Sequence, residues 1–229
     1  MRAQFQENLE IQESYNLRGE EAHHLISVAR VELGEEILLL NGKGLWIKTK
    51  VSSVSKRELT LMKLESELVS SKIMMDLALG IPKKEALELS LKEAVEIGFR
   101  RIFLIRSRYS QTKVPEPERL KSLLISALEQ SNSPYLPELI ALNWDEIEYE
   151  NYEESLMLDS QSLPVKVGPQ KMSSKRLLVV GPEGGFSPEE LAYLHQRPGM
   201  RVVRLPTPIL RTPTAVAVGA GLILGSLLD

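Results

Sequence analysis

The chain has 229 residues and a net charge of −3 at pH 7, from 31 acidic and 28 basic side chains. It contains no cysteine and only 3 histidines, which excludes disulfides and cysteine-based metal sites and argues against a zinc site. The sequence shows no signal-peptide core and no apolar run of the about 20 residues that span a membrane, so we expect a soluble cytoplasmic protein.

The first third of the chain is a series of short strand patterns separated by turns. Strands are predicted at residues 45–54 and 59–64. The two-residue period of a strand places Lys48 and Lys50 on the same face. This pattern predicts a small β-barrel with one basic face, although such lysines can also serve only to keep strand edges soluble.

The middle of the chain alternates between strand and helix patterns. Strands are predicted at residues 73–79 and 102–105. Apolar residues between Leu87 and Val95 follow helical spacing, and a second helix is predicted at residues 120–130. Strands and helices that alternate at this length predict a parallel sheet covered on both faces.

Two polar segments follow this α/β region. Residues 145–159 are strongly acidic and contain no lysine or arginine, so we predict a solvated surface there. Residues 160–175 mix proline, glycine, serine and lysine without periodicity, which predicts a long surface loop. Neither segment suggests chemistry.

A glycine-rich loop comes next, within the run LLVVGPEGGFSPEE. Residues 177–180 are fully apolar, as is typical of a buried parallel strand. Gly181, Gly184 and Gly185 follow at once, and backbone without side chains can approach a ligand closely. A loop of this kind at the carboxyl end of a parallel strand predicts a small-molecule site.

A helix is predicted directly after the loop. Ser187 is its N-cap, Pro188 takes the first helical position, and Glu190 completes a capping box. Phe186 and Leu191 occupy the two positions of a hydrophobic staple.

The loop does not have the pattern of a phosphate-binding or dinucleotide-binding loop. It also carries Glu183, whose charge would repel a phosphate. The structural alternative is therefore a tight connection between strand and helix, without a ligand.

The chain then reaches a strand predicted at residues 201–205 and a proline-rich turn. Pro206, Pro208 and Pro213 prevent regular structure around Arg211. This arginine is flanked by apolar residues, where an uncompensated charge is costly. We expect an anionic ligand or a structural salt bridge beside it.

A closing helix is predicted from Thr212, as its N-cap, to about Leu228. It is apolar on every face and too short to span a bilayer, so we expect it to be buried. Its small residues allow close packing against the core of the chain or against a second subunit.

The motif GPEGGFSPEE, followed by a short strand and by ILRTxTA near the C-terminus, resembles the SPOUT methyltransferases. More narrowly, the chain resembles the RsmE-type 16S ribosomal RNA (uracil-N3) methyltransferases. Residues 23–44, 93–105 and 126–139 extend the resemblance over nearly the whole chain. The two motifs together, in this order, are specific, whereas either one alone is weak.

The resemblance implies an α/β fold with a SPOUT-type parallel sheet and a C-terminal trefoil knot. It adds a small N-terminal PUA-like β-barrel, so that residues 1–68 form an RNA-binding domain and residues 69–229 the methyltransferase domain. S-adenosyl-L-methionine is the implied cofactor, and 16S ribosomal RNA within the assembled small subunit is the implied substrate. The resemblance also implies a homodimer whose interface includes the closing helix, with no metal and no membrane partner.

Methylation at N3 of uracil requires loss of the N3 proton and stabilisation of charge on the carbonyl oxygens. We predict that Arg211 supplies that stabilisation or else orients an RNA phosphate, and that Glu183 orients the cofactor or takes the proton. The predicted cofactor-binding residues are Val180, Gly181, Pro182, Gly184, Gly185, Leu205, Ile209, Leu210, Thr212, Thr214 and Ala215. The predicted RNA-binding residues are Arg30, Lys43, Lys48 and Lys50.

The chain departs from the usual family sequence LGPRILRTETA, because it has LPTPILRTPTA. Pro206 replaces a glycine, Pro208 an arginine and Pro213 a glutamate, and an arginine expected near Ser133 or Pro134 is missing. The prolines stiffen the loop and remove backbone donors. Two alternatives therefore stay open: a non-catalytic protein that binds RNA or ribosomes, or a methyltransferase for a different nucleotide.

Overall fold

A computed structural model describes residues 1–70, 74–160 and 175–225 of the chain. The chain forms two compact units, of which one contains Met1–Ser71 and Ile125–Leu136 and the other Lys72–Leu124 and Pro137–Asp229. The predicted domain division at residues 68 and 69 stays a prediction.

The first unit contains a curled, mixed sheet of five strands, as expected of a PUA-like barrel. The strands are β1 (Arg2–Phe5), β2 (Ser14–Arg18), β3 (Glu36–Leu40), β4 (Leu45–Val54) and β5 (Glu58–Leu68), in the spatial order β1-β3-β4-β5-β2. Strand β1 runs parallel to β3, and the other neighbours are antiparallel. The short helix α1 (Gly19–His23) continues directly into a π-helix at His24–Val28.

Strand β4 shows how the sequence alternation builds this sheet. Leu45, Ile47, Thr49 and Val51 are buried, whereas the residues between them reach the surface. The one polar residue of the buried set is satisfied, because the Thr49 hydroxyl donates to the Ile37 carbonyl at 2.8 Å. The predicted strand therefore has the predicted bounds.

The second unit is built on a six-stranded parallel sheet, which confirms the predicted α/β fold class. Its strands are β6 (Met74–Gly80), β7 (Arg101–Arg106), β8 (Glu138–Asn143), β9 (Glu154–Leu158), β10 (Lys175–Val180) and β11 (Met200–Val203). Their order is β11-β9-β10-β6-β7-β8, and each neighbouring pair is parallel. The helices are α2 (Lys84–Ile97), α3 (Pro117–Ser131), α4 (Pro188–His195) and α5 (Thr212–Gly225), and the last residues of α3 belong to the first unit. The trefoil knot stays a prediction.

Strand β9 corrects the prediction that residues 145–159 are a solvated surface. Ser155, Leu156 and Met157 are buried, and the strand lies between β11 and β10. The short run LML after Ser155 was sufficient to form a strand, but the acidic residues before it dominated the composition of the segment. The loop predicted at residues 160–175 lies almost wholly outside the described residues, and Lys175 begins β10.

In the single chain, helix α5 is buried along one face, and the expected burial of its other face against a second subunit stays a prediction. Val216, Gly219 and Ala220 are buried, and a Cβ added to Gly219 would lie 2.6 Å from Leu178 Cδ1. Thr214, Ala217, Val218 and Gly221 form an exposed stripe along the opposite face of the helix. The predicted end near Leu228 lies outside the described residues.

A buried ion network joins the amino-terminal ends of β6 and β7. Asp76 is fully buried and accepts hydrogen bonds from Arg100 Nη2 at 2.9 Å, Arg101 Nη2 at 2.7 Å and the Tyr152 hydroxyl at 2.7 Å. Burial by itself would raise the pKa of Asp76, but the hydrogen bonds from its three partners outweigh burial and hold that pKa below its ordinary value. The carboxylate therefore stays ionised in the folded chain at neutral pH.

Candidate active site

A cavity of about 620 Å³ lies at the carboxyl ends of β9, β10 and β11. This is the edge at which open α/β sheets bind ligands, and the volume lies within the range of about 300–1,000 Å³ typical of small-molecule sites. The predicted catalytic and cofactor-binding residues that line it are Val180, Gly181, Pro182, Glu183, Gly184, Gly185, Leu205, Ile209, Leu210, Arg211, Thr212 and Ala215. Thr214 does not line it and lies on the exposed face of α5.

The cavity has further walls that sequence reasoning did not assign to it. They are Leu158, Asp159, Ser160, Phe186, Leu191, Val203, Arg204, Thr207 and Pro208. Asp159 adds a second carboxylate to the cavity lining, besides that of Glu183. The apolar run before Asp159 was the available signal, since a strand there places the following residues at the same sheet edge as the glycine loop.

The glycine loop is a tight turn whose backbone forms one wall of the cavity. Gly185 N–H donates to the Pro182 carbonyl at 2.8 Å, and the φ of +70° at Gly185 favours glycine. A Cβ added to Gly181 would lie 3.2 Å from the Cα of Gly185. The end of β6 also packs closely against the glycine loop, because a Cβ on Gly80 would lie 2.4 Å from Pro182 Cδ.

The start of α4 has the predicted capping box. Ser187 Oγ accepts from the Glu190 backbone N–H at 3.3 Å, and Glu190 Oε2 accepts from the Ser187 N–H at 2.7 Å. Pro188 follows as the first helical residue. The other oxygen of Glu190 accepts from the backbone N–H of Arg108 at 2.8 Å, so the same carboxylate also fixes the turn after β7.

Glu183 lines the cavity, and its side chain also contacts the start of α2. Its Oε1 accepts a hydrogen bond from the backbone N–H of Lys83 at 2.9 Å, immediately before that helix. A carboxylate at this position is stabilised by the helix dipole. Within the described part of the chain Oε2 makes no hydrogen bond, so one oxygen of an exposed side chain stays available for a ligand.

Arg211 is exposed, which corrects the expectation that apolar neighbours surround its charge. In residues 1–70, 74–160 and 175–225 it forms no ion pair, and Arg204 at the same cavity forms none either. Because neither arginine forms a structural salt bridge with a described residue, both guanidinium groups are available to a ligand. Ile209 is 85% exposed in the single chain, so the predicted apolar wall faces open space on one side.

The four predicted RNA-binding residues all lie in the first unit. Arg30, Lys43 and Lys50 are exposed. Lys48 Nζ lies 2.9 Å from Glu36 Oε2, and its hydrogen bond to that carboxylate raises the pKa of Lys48. The charge of Lys48 is thus compensated within the chain, whereas the described residues contain no ion partner for the other three.

Two observations hold for the described ranges of the chain. No helix there combines the length and apolar character needed to cross a membrane. No group of three or more His, Asp or Glu side chains there could hold a metal ion.

Comparison with known proteins gives the class of this fold and cavity. Residues 69–224 match the RNA methyltransferase domain family, and residues 17–62 match the RNA methyltransferase PUA domain family. The α/β unit with its cavity is therefore an RNA methyltransferase domain, and a PUA domain precedes it.

Relatives that match this chain over most of their length narrow the class of protein further. Ribosomal RNA small subunit methyltransferase E of Aquifex aeolicus is 30% identical over 209 residues, which cover 87% of this chain and 89% of the relative. The enzyme of the same name from Bacillus subtilis is 26% identical over 221 residues, covering 88% and 86%. The chain belongs to the ribosomal RNA small subunit methyltransferase E family, as its motifs indicated.

The fold agrees with that of a solved member of the family. The crystal structure of ribosomal RNA small subunit methyltransferase E from Neisseria gonorrhoeae, bound to S-adenosyl methionine, matches with a TM-score of 0.84 at 23% identity. The match covers 98% of this chain and 97% of that structure.

Proposed function

We propose that this protein transfers a methyl group from S-adenosyl-L-methionine to N3 of a uridine in 16S ribosomal RNA. The observation that carries the proposal is the cavity at the carboxyl edge of the sheet, where the GPEGG loop and the ILRT segment meet in a chain of this family. The reaction needs a bound methyl donor, a site for the uracil, a proton acceptor and stabilisation of developing charge.

The residues around the cavity fit this cofactor. Side-chain-free backbone at Gly181 and Gly185 allows close approach of a nucleoside, and Leu205 and Leu210 supply apolar surface for an adenine ring. The cofactor carries a positive charge on sulfur, which makes its methyl group electrophilic. The carboxylates of Glu183 and Asp159 in the cavity lining suit this positive charge.

Arg211 and Glu183 have complementary roles in this proposal. The guanidinium of Arg211 faces the cavity edge and stabilises negative charge on the uracil carbonyl oxygens when the N3 proton leaves. The free Oε2 of Glu183 accepts that proton, while Oε1 stays bound to the Lys83 amide and fixes the side chain.

The two parts of the chain divide the work. Residues 1–68 hold RNA phosphates through the exposed cations Arg30, Lys43 and Lys50, with Lys48 as a weaker contributor, and residues 69–229 carry the chemistry. The substrate is the small subunit as assembled in the cytoplasm, since the enzyme needs an unstacked uridine held in a defined place.

The active form is a homodimer whose interface includes the exposed face of α5. The exposed residues of the described helix are Thr214, Ala217, Val218, Gly221 and Gly225, and small residues allow a second helix to approach closely. The trefoil knot of the family fold completes the proposed architecture of the methyltransferase domain.

The test is methyl transfer from labelled S-adenosyl-L-methionine to small ribosomal subunits from cells that lack the modification. Label in 3-methyluridine, identified by mass spectrometry, is the expected result and makes Pro206, Pro208 and Pro213 tolerated variation. Label in another nucleoside would show that the methylated nucleotide is not the proposed uridine. An absence of both label and cofactor binding would overturn the catalytic proposal in favour of a binding protein.

A further inference from the structure

The turn after β7, at one rim of the cavity, concentrates positive charge. Residues 106–113 read RSRYSQTK and contain no acid, although the whole chain has a net charge of −3. Arg106, Arg108 and Lys113 are exposed, and none of them forms an ion pair within the described ranges. Unpaired cations on one short turn are an electrostatic footprint for a polyanion.

This turn is held rigidly against the glycine loop. The Ser107 N–H donates to Ser110 Oγ at 3.1 Å, which closes the turn on itself. The backbone N–H of Arg108 donates to buried Glu190 at 2.8 Å, and Glu190 belongs to the capping box of α4. The position of the turn is therefore fixed before any ligand binds.

The turn presents Tyr109 beside a cavity-lining glycine. A Cβ added to Gly184 would lie 2.9 Å from Tyr109 Cβ and 3.2 Å from Tyr109 Cγ, so the absence of a side chain at Gly184 makes room for this tyrosine. Tyr109 is nevertheless 45% exposed, and its hydroxyl makes no hydrogen bond to a described residue. The base of the ring is anchored, and the rest of the ring is available to a partner.

We propose that Tyr109 is a stacking platform for a base of the substrate RNA next to the methylated uridine, and that Arg106 and Arg108 hold the adjacent phosphates. The inference rests on the proposed function and adds a positioning residue to it. Proteins that bind unstacked RNA combine aromatic rings, on which bases stack, with cations along the backbone. A base held on Tyr109 keeps the neighbouring uridine at the mouth of the cavity.

A purely structural role for Tyr109 makes different predictions. If the residue served only to cover Gly184, a leucine would keep the contact through its Cβ and Cγ atoms, and only alanine would lose it. A stacking platform needs the aromatic face, so phenylalanine retains it and leucine does not.

The experiment compares Tyr109→Phe, Tyr109→Leu and Tyr109→Ala with the unchanged chain, using small ribosomal subunits that lack the modification. We expect Tyr109→Phe to keep kcat/KM within about twofold, and both other variants to lower it about tenfold or more. The Kd for S-adenosyl-L-methionine, measured by calorimetry, should stay constant in all variants. Unchanged kcat/KM in Tyr109→Leu, or weaker cofactor binding in it, would overturn the inference.

A second readout separates this inference from the proposed function. If the unchanged chain transfers no methyl group to uridine, the proposed function fails, and the anisotropy of fluorescein-labelled oligouridine then tests Tyr109 alone. About tenfold weaker binding by Tyr109→Leu than by Tyr109→Phe supports the platform, and equal binding overturns it.

Discussion

The carboxylate of Glu183 accepts a hydrogen bond from the backbone amide of Lys83 across 2.9 Å, although the two residues are 100 positions apart in the chain. One acid thus connects the cavity loop to the start of α2. A proton acceptor and a helix-capping group are different roles, and two substitutions separate them.

Glu183→Gln keeps an oxygen for the Lys83 amide and removes the negative charge. We expect it to lower kcat about a hundredfold or more at an unchanged melting temperature, because a general base typically contributes about 10²–10⁴. Glu183→Ala also removes the hydrogen bond, so it should lower the melting temperature as well. If Glu183→Gln turns over at the normal rate, Glu183 has only the structural role.

Arg211→Ala should leave folding intact, because the side chain is exposed and forms no ion pair with a described residue. We expect kcat for methyl transfer to fall about 10²–10³-fold, the usual cost of removing one charge-stabilising donor. Lys92→Ala removes an exposed cation that does not line the cavity, and it serves as the control. Comparable losses in the two variants would show that only the overall charge matters.

Asp76→Asn tests the buried ion network by urea unfolding. We expect the free energy of unfolding at pH 7 to fall by about 2–3 kcal/mol, below the value for fully buried pairs because Arg100 and Arg101 are partly exposed. Glu88→Gln breaks a more exposed pair with Arg119 and should cost less than about 1 kcal/mol.

Acid should narrow the difference between the unchanged chain and Asp76→Asn. The pKa of Asp76 is lowered by folding, so its contribution is present above the unfolded pKa of about 3.9 and is lost as the pH falls through the folded pKa. Unfolding measured at pH 7 and at pH 3 gives both values. A constant difference would mean that the Asp76 charge adds nothing to stability.

Gly80→Ala should disturb the cavity from the end of β6. Its Cβ would lie 2.4 Å from Pro182 Cδ and 2.8 Å from Pro182 N, so the loop backbone must move. We expect a loss of about 1–3 kcal/mol in stability and weaker binding of S-adenosyl-L-methionine by calorimetry. Gly225→Ala, whose Cβ would meet no atom of the described residues within 4 Å, should bind the cofactor normally. Equal affinities for both variants would contradict the close approach.

Val218→Asp should convert the proposed homodimer to monomers in light-scattering measurements. Val218 is 37% exposed on α5, and a charge there would have to be desolvated in the proposed interface. Leu33→Asp places the same charge on a side chain that is 70% exposed in the first unit, and it should leave the dimer intact. A Val218→Asp dimer of normal affinity would place the interface elsewhere.

Local patterns were sufficient for the elements whose determinants lie within a few residues. Strand β4 alternates regularly and has the predicted bounds, and the capping box of Ser187 and Glu190 follows from spacing alone. Strand β9 was missed because only three apolar residues, Leu156 to Leu158, follow a long acidic run, and composition over the whole window concealed them.

Contacts between distant parts of the chain were not accessible to such patterns. Spacing assigns Glu190 to its own helix, but the bond from its second oxygen to Arg108 depends on how β7 and β10 are placed in the sheet. The exposure of Arg211 was mispredicted for the same reason, since apolar neighbours in sequence do not surround it in space.

The position of β10 between β6 and β9 has a consequence for synthesis on the ribosome. Strand β7, one neighbour of β6, is made soon after it, but the other neighbour begins only at Lys175. Until then the apolar strand MMDLALG presents an unpaired edge, which is a template for aggregation. A strand that is central in the folded sheet is therefore prone to aggregate in the nascent chain. Chaperone binding would be most useful while residues 81–174 are being made.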